Sequence, residues 1–122
     1  MYTLLIVDDE AEIRLIMEKF FAKKGFLILT AEHGGYALDI IQSKYKIDCI
    51  LLDMKMPKVD GFAVLNQMQQ IGSKIPVILI GGSVGAEGDI ARLVDLGFKE
   101  EDLLYKPISL DQLLTIVKAR LK

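Results

Sequence analysis

"IDCILLD", residues 47–53, carries four apolar residues in a row, Cys49 to Leu52, between two aspartates. A strand with one face in water alternates apolar and polar side chains, whereas an unbroken run needs burial on both faces, as in a parallel sheet covered by helices. Similar short runs rich in branched residues occur at "YTLLIV" (2–7), "FLILT" (26–30), "VILI" (77–80) and "LLY" (103–105). Helical patterns fill the intervals, at 11–24, 36–44, 62–71, 87–96 and 109–121. In the first, Ile13, Ile16, Met17, Phe20 and Phe21 are expected along one buried stripe, with Gly25 closing the helix. Ser109 is placed to cap the last. Strictly alternating βα units in a chain of 122 residues predict an α/β fold with an open, doubly wound sheet. Right-handed crossovers are nearly obligatory, and the expected order is the flavodoxin-like 2-1-3-4-5. "FLILT" and "LLY" then form the edges, and one domain spans 1–122.

Composition narrows the function classes. Hydrophobic residues make up 52% and aromatic ones 7%, so the core must be aliphatic. A formal charge of -2 removes the electrostatic case for direct nucleic-acid binding or for an anionic membrane surface. Cys49 is the single cysteine; it has no internal disulfide partner and reads as a buried small hydrophobe. The beginning turns acidic by residue 8, which is wrong for a secretory leader, and no run reaches membrane-spanning length. A reducing cytoplasm is the expected location.

In an open parallel sheet, ligands bind outside the carboxyl ends of the strands, at the switch point beside the first strand. The runs end in Asp8 and Asp9, with Glu10 next; in Asp53; in Gly81, Gly82 and Ser83; and in Lys106 and Pro107. Carboxylates gathered in this way repel one another unless a cation lies between them. Oxygen donors in an open crevice suit Mg²⁺, and a lysine alongside supplies charge for a phosphoryl oxygen. The set therefore reads as a phosphoryl acceptor, with a metal, a carboxylate nucleophile and a cation. Blander readings exist for each residue. Paired aspartates also cap helices, Asp53 could cap the turn before Pro57, and a lone lysine is usually a surface charge. His33, Tyr36 and Tyr105 read as structural or surface residues, and the methionines as packing.

Three blocks, "LLIVDDE", "DCILLDMKMPKVDG" and "LLYKP", resemble the signature blocks of response-regulator receiver domains, and "AEHGGYAL" (31–38) is similar to that family's lead into its second helix. The resemblance implies that Asp53 accepts a phosphoryl group from a sensor histidine kinase or phosphotransfer protein and passes the signal to an output protein or effector domain. It implies Mg²⁺ held directly by Asp9 and Asp53, through water by Asp8, and by the backbone carbonyl of Lys55. Lys106 would meet the phosphoryl oxygen, before a bond to Pro107 that is often cis in the family. Pro57 and Gly61 match the turn after the acceptor strand.

Two positions depart from that pattern. The family ends its fourth strand in a threonine or serine whose hydroxyl meets the phosphoryl group, and here Gly81 stands there. Three residues before the lysine, where the family carries a tyrosine or phenylalanine that turns inward, stands Leu103. Ser83 offers a hydroxyl two residues further on. The alternative for "VILIGGSVGAEGD" (77–89), a nucleotide loop, lacks a Walker lysine and an ordered G-x-G-x-x-G. Two functions of different class follow: a phosphorylated receiver with an atypical output switch, or a pseudo-receiver serving as a phosphorylation-independent interaction module. A hydrolase of the haloacid type would need an aspartate where Lys55 stands.

Overall fold

The computed structural model describes residues 1–54, 61–81, 87–99 and 102–121, and the side chains of 87–90 are outside that description. Strands β1 (Thr3–Val7), β2 (Leu27–Ala31), β3 (Cys49–Asp53), β4 (Val77–Gly81) and β5 (Leu103–Tyr105) alternate with helices α1 (Ala11–Lys23), α2 (Gly34–Ile41), α3 (Gly61–Gln70), α4 (Glu87–Asp95) and α5 (Leu110–Arg120). All strand pairs are parallel, in the order β2-β1-β3-β4-β5. Both the fold class and the strand order are those expected from the apolar runs.

The unbroken runs split between two cores because successive strand side chains point to opposite faces. Leu5, Val7, Ile50, Leu52 and Leu79 pack with Ala37 of α2, Phe62, Leu65 and Met68 of α3 and Leu93 of α4. On the other face Leu4, Ile6, Cys49, Leu51, Ile78 and Ile80 meet Met17 and Phe21 of α1 and Leu113 and Val117 of α5. Each large aliphatic side chain so buried contributes roughly 1.5–3 kcal/mol relative to exposure. Cys49 is fully buried, and desolvation pushes its thiol up to about 12, so it behaves as the inert hydrophobe expected.

Local chemistry sets the element ends. Gly25 follows α1 at φ +94°, the left-handed conformation that suits glycine beyond a helix end. Ser109 caps α5, its hydroxyl accepting from the Gln112 amide at 3.2 Å. Two expectations need correction. Helix α2 begins at Gly34 rather than residue 36, because Nδ1 of His33 accepts from the Tyr36 amide at 3.1 Å and fixes the start, and it ends at Ile41 rather than at residue 44. Ile16 is not on the buried stripe of α1 but 56% exposed. At 3.6 residues per turn it stands about 120° from the midpoint between Met17 and Phe21, the two residues that face the sheet.

Candidate functional site

The strand ladders bring the expected residues to one edge of the sheet. Val7 pairs with Leu52, Asp53 with Ile80, and Gly81 with Tyr105, so β1, β3, β4 and β5 end nearly level. Backbone bonds run one residue further and pin the pocket: Asp8 N to Ala31 O at 3.2 Å, Met54 N to Ile80 O at 2.8 Å, and Lys106 N to Gly81 O at 3.0 Å. Gly61 lies against Met54, its amide donating to the Met54 carbonyl at 3.2 Å. A Cβ there would lie 2.7 Å from the Met54 Cα and 2.5 Å from its Sδ, so only glycine fits against that backbone.

Lys106 is the hub. Its Nζ lies 3.2 Å from Glu10 Oε1, 3.5 Å from Asp53 Oδ2 and 3.7 Å from Asp8 Oδ2. Asp8 and Asp53 are 0% and 2% exposed, the two buried charged residues among those described. Burial pulls the Lys106 ammonium down, but the carboxylates of Asp53, Asp8 and Glu10 outweigh it and raise the group above its usual value. Burial likewise dominates at Asp8 and raises its carboxyl, although the Glu10 amide and Lys106 act the other way. The bond from Lys106 to Pro107 is cis.

Asp8 supplies the test of whether the pocket fits a divalent cation. Its Oδ1 accepts from the Glu10 amide at 2.9 Å, and its main-chain carbonyl accepts from Arg14 Nη1 at 2.7 Å. Its Oδ2, in contrast, is buried without a hydrogen-bond partner among the described residues. Carboxylate oxygens of Asp8, Asp9 and Glu10 all lie within 4.8 Å of one another, and Asp53 is linked to Asp8 and Glu10 through the shared ammonium. An orphaned inner oxygen beside further oxygen donors fits a hard cation such as Mg²⁺.

Asp8, Asp53 and Lys106 thus meet, with Asp9 exposed at the rim. Lys55, Pro57, Gly82 and Ser83 lie outside the described residues. At Gly81, a Cβ would stand 3.5 Å from Leu103 Cδ1 and 3.6 Å from Tyr105 Cδ1, which is ordinary contact. The space beside the glycine is therefore lined from β5 by both side chains. The sequence placed Glu10 beside the acidic pair without a role and left Tyr105 outside the site. Glu10 carried a signal in its place directly after the acidic pair. Tyr105 carried one in strand alternation, since residues two apart share a face.

Fold and pocket define a doubly wound α/β domain with a lysine-bridged acidic site at its switch point. The chain belongs to the response regulator receiver domain family, whose family model matches residues 4–118. It is 36% identical over 115 residues to sporulation initiation phosphotransferase F of Bacillus subtilis, covering 94% of this chain and 90% of that protein. It is 35% identical over 119 residues to the probable transcriptional regulator ycf27 of Guillardia theta, covering 97% of this chain but 44% of that protein. A response regulator MprA, from Mycolicibacterium vanbaalenii, is 31% identical, and the chain spans 50% of its length. The chain thus spans about half the length of several curated relatives it matches. Among solved structures, the receiver domain of the Francisella response regulator 1452 superposes with a TM-score of 0.87 at 27% identity, covering 99% of this chain and 97% of that one. Chemotaxis protein CheY4 of Vibrio cholerae gives 0.83 at 26% identity, covering 98% of each chain. Among the described residues, no helix is long and apolar enough to cross a membrane.

Proposed function

We propose that this receiver accepts a phosphoryl group on Asp53 from the phosphohistidine of a sensor histidine kinase or phosphotransfer protein, with Mg²⁺ bound by Asp8, Asp9 and Asp53. The observation that carries this reading is the buried Asp53 carboxylate at the end of β3, with the Lys106 ammonium 3.5 Å away and shared with Asp8. An Asp53 oxygen forms the new bond to phosphorus, and the N–P bond breaks with its electron pair remaining on the imidazole nitrogen, which then takes a proton. Lys106 would meet a phosphoryl oxygen, and the backbone bonds from Met54 to Ile80 and from Gly61 to Met54 hold the nucleophile's strand end in place. A bound Mg²⁺ supplies charge neutralisation for the transferring group.

Incubation with a small acyl phosphate donor and Mg²⁺, followed by intact mass, tests the proposal. One labile phosphoryl adduct is expected, absent in Asp53→Asn; an unchanged adduct in that variant would place the chemistry elsewhere. The second reading, an interaction module independent of phosphorylation, draws on Gly81 and Leu103, where the hydroxyl and aromatic of the family's output switch are missing. A wild-type protein that takes up no phosphoryl group would favour it. We also infer an atypical output for the phosphorylated form, on the same two residues.

A further inference from the structure

Glu10 occupies the N-cap position of α1, yet its side chain makes no hydrogen bond to that helix. It turns instead to Lys106, and at 3.2 Å it is the nearest of the three carboxylates to the ammonium. It is also the outermost, its side chain 57% exposed against 23% for Lys106. The ammonium is thus drawn between two inner carboxylates and one at the mouth. A divalent cation entering the pocket would draw on the same buried carboxylates, Asp8 and Asp53, and would be repelled by the ammonium.

We propose that Glu10 is a positioning residue that draws Lys106 toward the mouth of the pocket, so that the ammonium shared with Asp8 and Asp53 yields more readily to a divalent cation. The inference rests on the metal reading of the same site. Without the rim carboxylate, the ammonium moves closer to Asp8 and Asp53 and competes more strongly with the ion. Reach is what matters: aspartate at position 10 would keep the charge but fall one methylene short.

The test is calorimetric titration of the intact chain with Mg²⁺ alone, with no phosphodonor, so that it is separate from the Asp53 adduct experiment. Glu10→Asp and Glu10→Gln should both weaken Mg²⁺ binding by about three- to five-fold, the range of a partly exposed ion pair. In a Lys106→Met background, which should itself bind Mg²⁺ more tightly, Glu10→Asp should change nothing. The Lys106 Hε–Cε resonance of the metal-free protein should also move in Glu10→Asp. A Glu10→Asp titration that overlays wild type would overturn the proposal, because the charge alone would then suffice. So would an equal loss of binding by Glu10→Asp with and without Lys106. A wild-type protein that binds no Mg²⁺ would overturn this inference together with the metal reading, while leaving the Asp53 adduct experiment to stand by itself.

Discussion

Burial raises the Asp8 carboxyl above its ordinary value of 3.8, against the pull of the Glu10 amide and the Lys106 ammonium, while Glu10 and Asp9 push it further up. A carboxyl with a raised folded pKa holds its proton more tightly in the folded state, so ionising it costs stability. That cost is absent below 3.8 and is complete once the pH has risen past the folded value. Asn at this position keeps the Oδ1 acceptor for the Glu10 amide and removes the charge. Asp8→Asn is therefore expected to stabilise the metal-free protein at neutral pH by about 1–3 kcal/mol, because a buried neutral amide costs less than a buried carboxylate whose desolvation is not repaid. The gain should shrink as the pH falls and the wild-type carboxyl protonates. Urea denaturation at pH 7 and pH 4 measures both. A less stable variant at pH 7 would show that Lys106 holds Asp8 more strongly than burial opposes it.

Helices and strands were legible to within a few residues wherever apolar periodicity carried the signal. The start of α2 was not, because its cap is a histidine side chain bonding a main-chain amide, and histidine is outside the usual capping set. Gly35 belongs to the same local arrangement, since a Cβ there would come within 3.3 Å of His33 Nδ1. With eight residues, α2 has little intrinsic stability of its own. His33→Ala is expected to destabilise the protein by about 0.5–2 kcal/mol, whereas His33→Asn, which restores a side-chain acceptor, should recover most of the loss. Amide hydrogen exchange supplies the local check: protection at residues 36–38 should fall in the alanine variant. If the two variants unfold alike, the cap is not what holds the helix start. Elsewhere, α4 lays Arg92 over the Phe62 ring of α3 at 3.7 Å, a contact between elements that no periodicity within either helix reveals.

Across the whole molecule, the end of β3 that carries Asp53 pairs with β4, and β4 pairs with β5. On the proposed reading, the absent hydroxyl at Gly81 removes one hydrogen bond to a charged group, worth roughly 1.5–3 kcal/mol, or about 10- to 150-fold in the ratio of active to inactive form. Adding a beryllofluoride phosphoryl mimic should consequently produce small amide shifts in α4, β5 and the start of α5. A threonine Cβ at position 81 meets only ordinary contacts from Leu103 and Tyr105, so the variant is compatible with this packing. Gly81→Thr should recover part of the response, and Gly81→Thr with Leu103→Tyr more than the sum of the single changes, because neighbours acting on one switch are not additive. Large shifts in residues 87–110 of the wild type would remove the basis for an atypical output.

By itself the sequence determined the layers, the strand order and the convergence of Asp8, Asp53 and Lys106. Apolar runs mark strands buried on two faces, and the handedness of βα units leaves few ways to assemble them. Only the tertiary structure decided which carboxylate Lys106 prefers, that Asp8 Oδ2 is left without a hydrogen bond among the described residues, that Ile16 faces outward and that Tyr105 stands beside Gly81. Periodicity is a property of one segment, whereas these depend on strand register and rotamers chosen between residues far apart in the chain. Glu10 and Lys106 are 96 positions apart, and the geometry of that pair follows from the sheet that brings the ends of β1 and β5 to one edge.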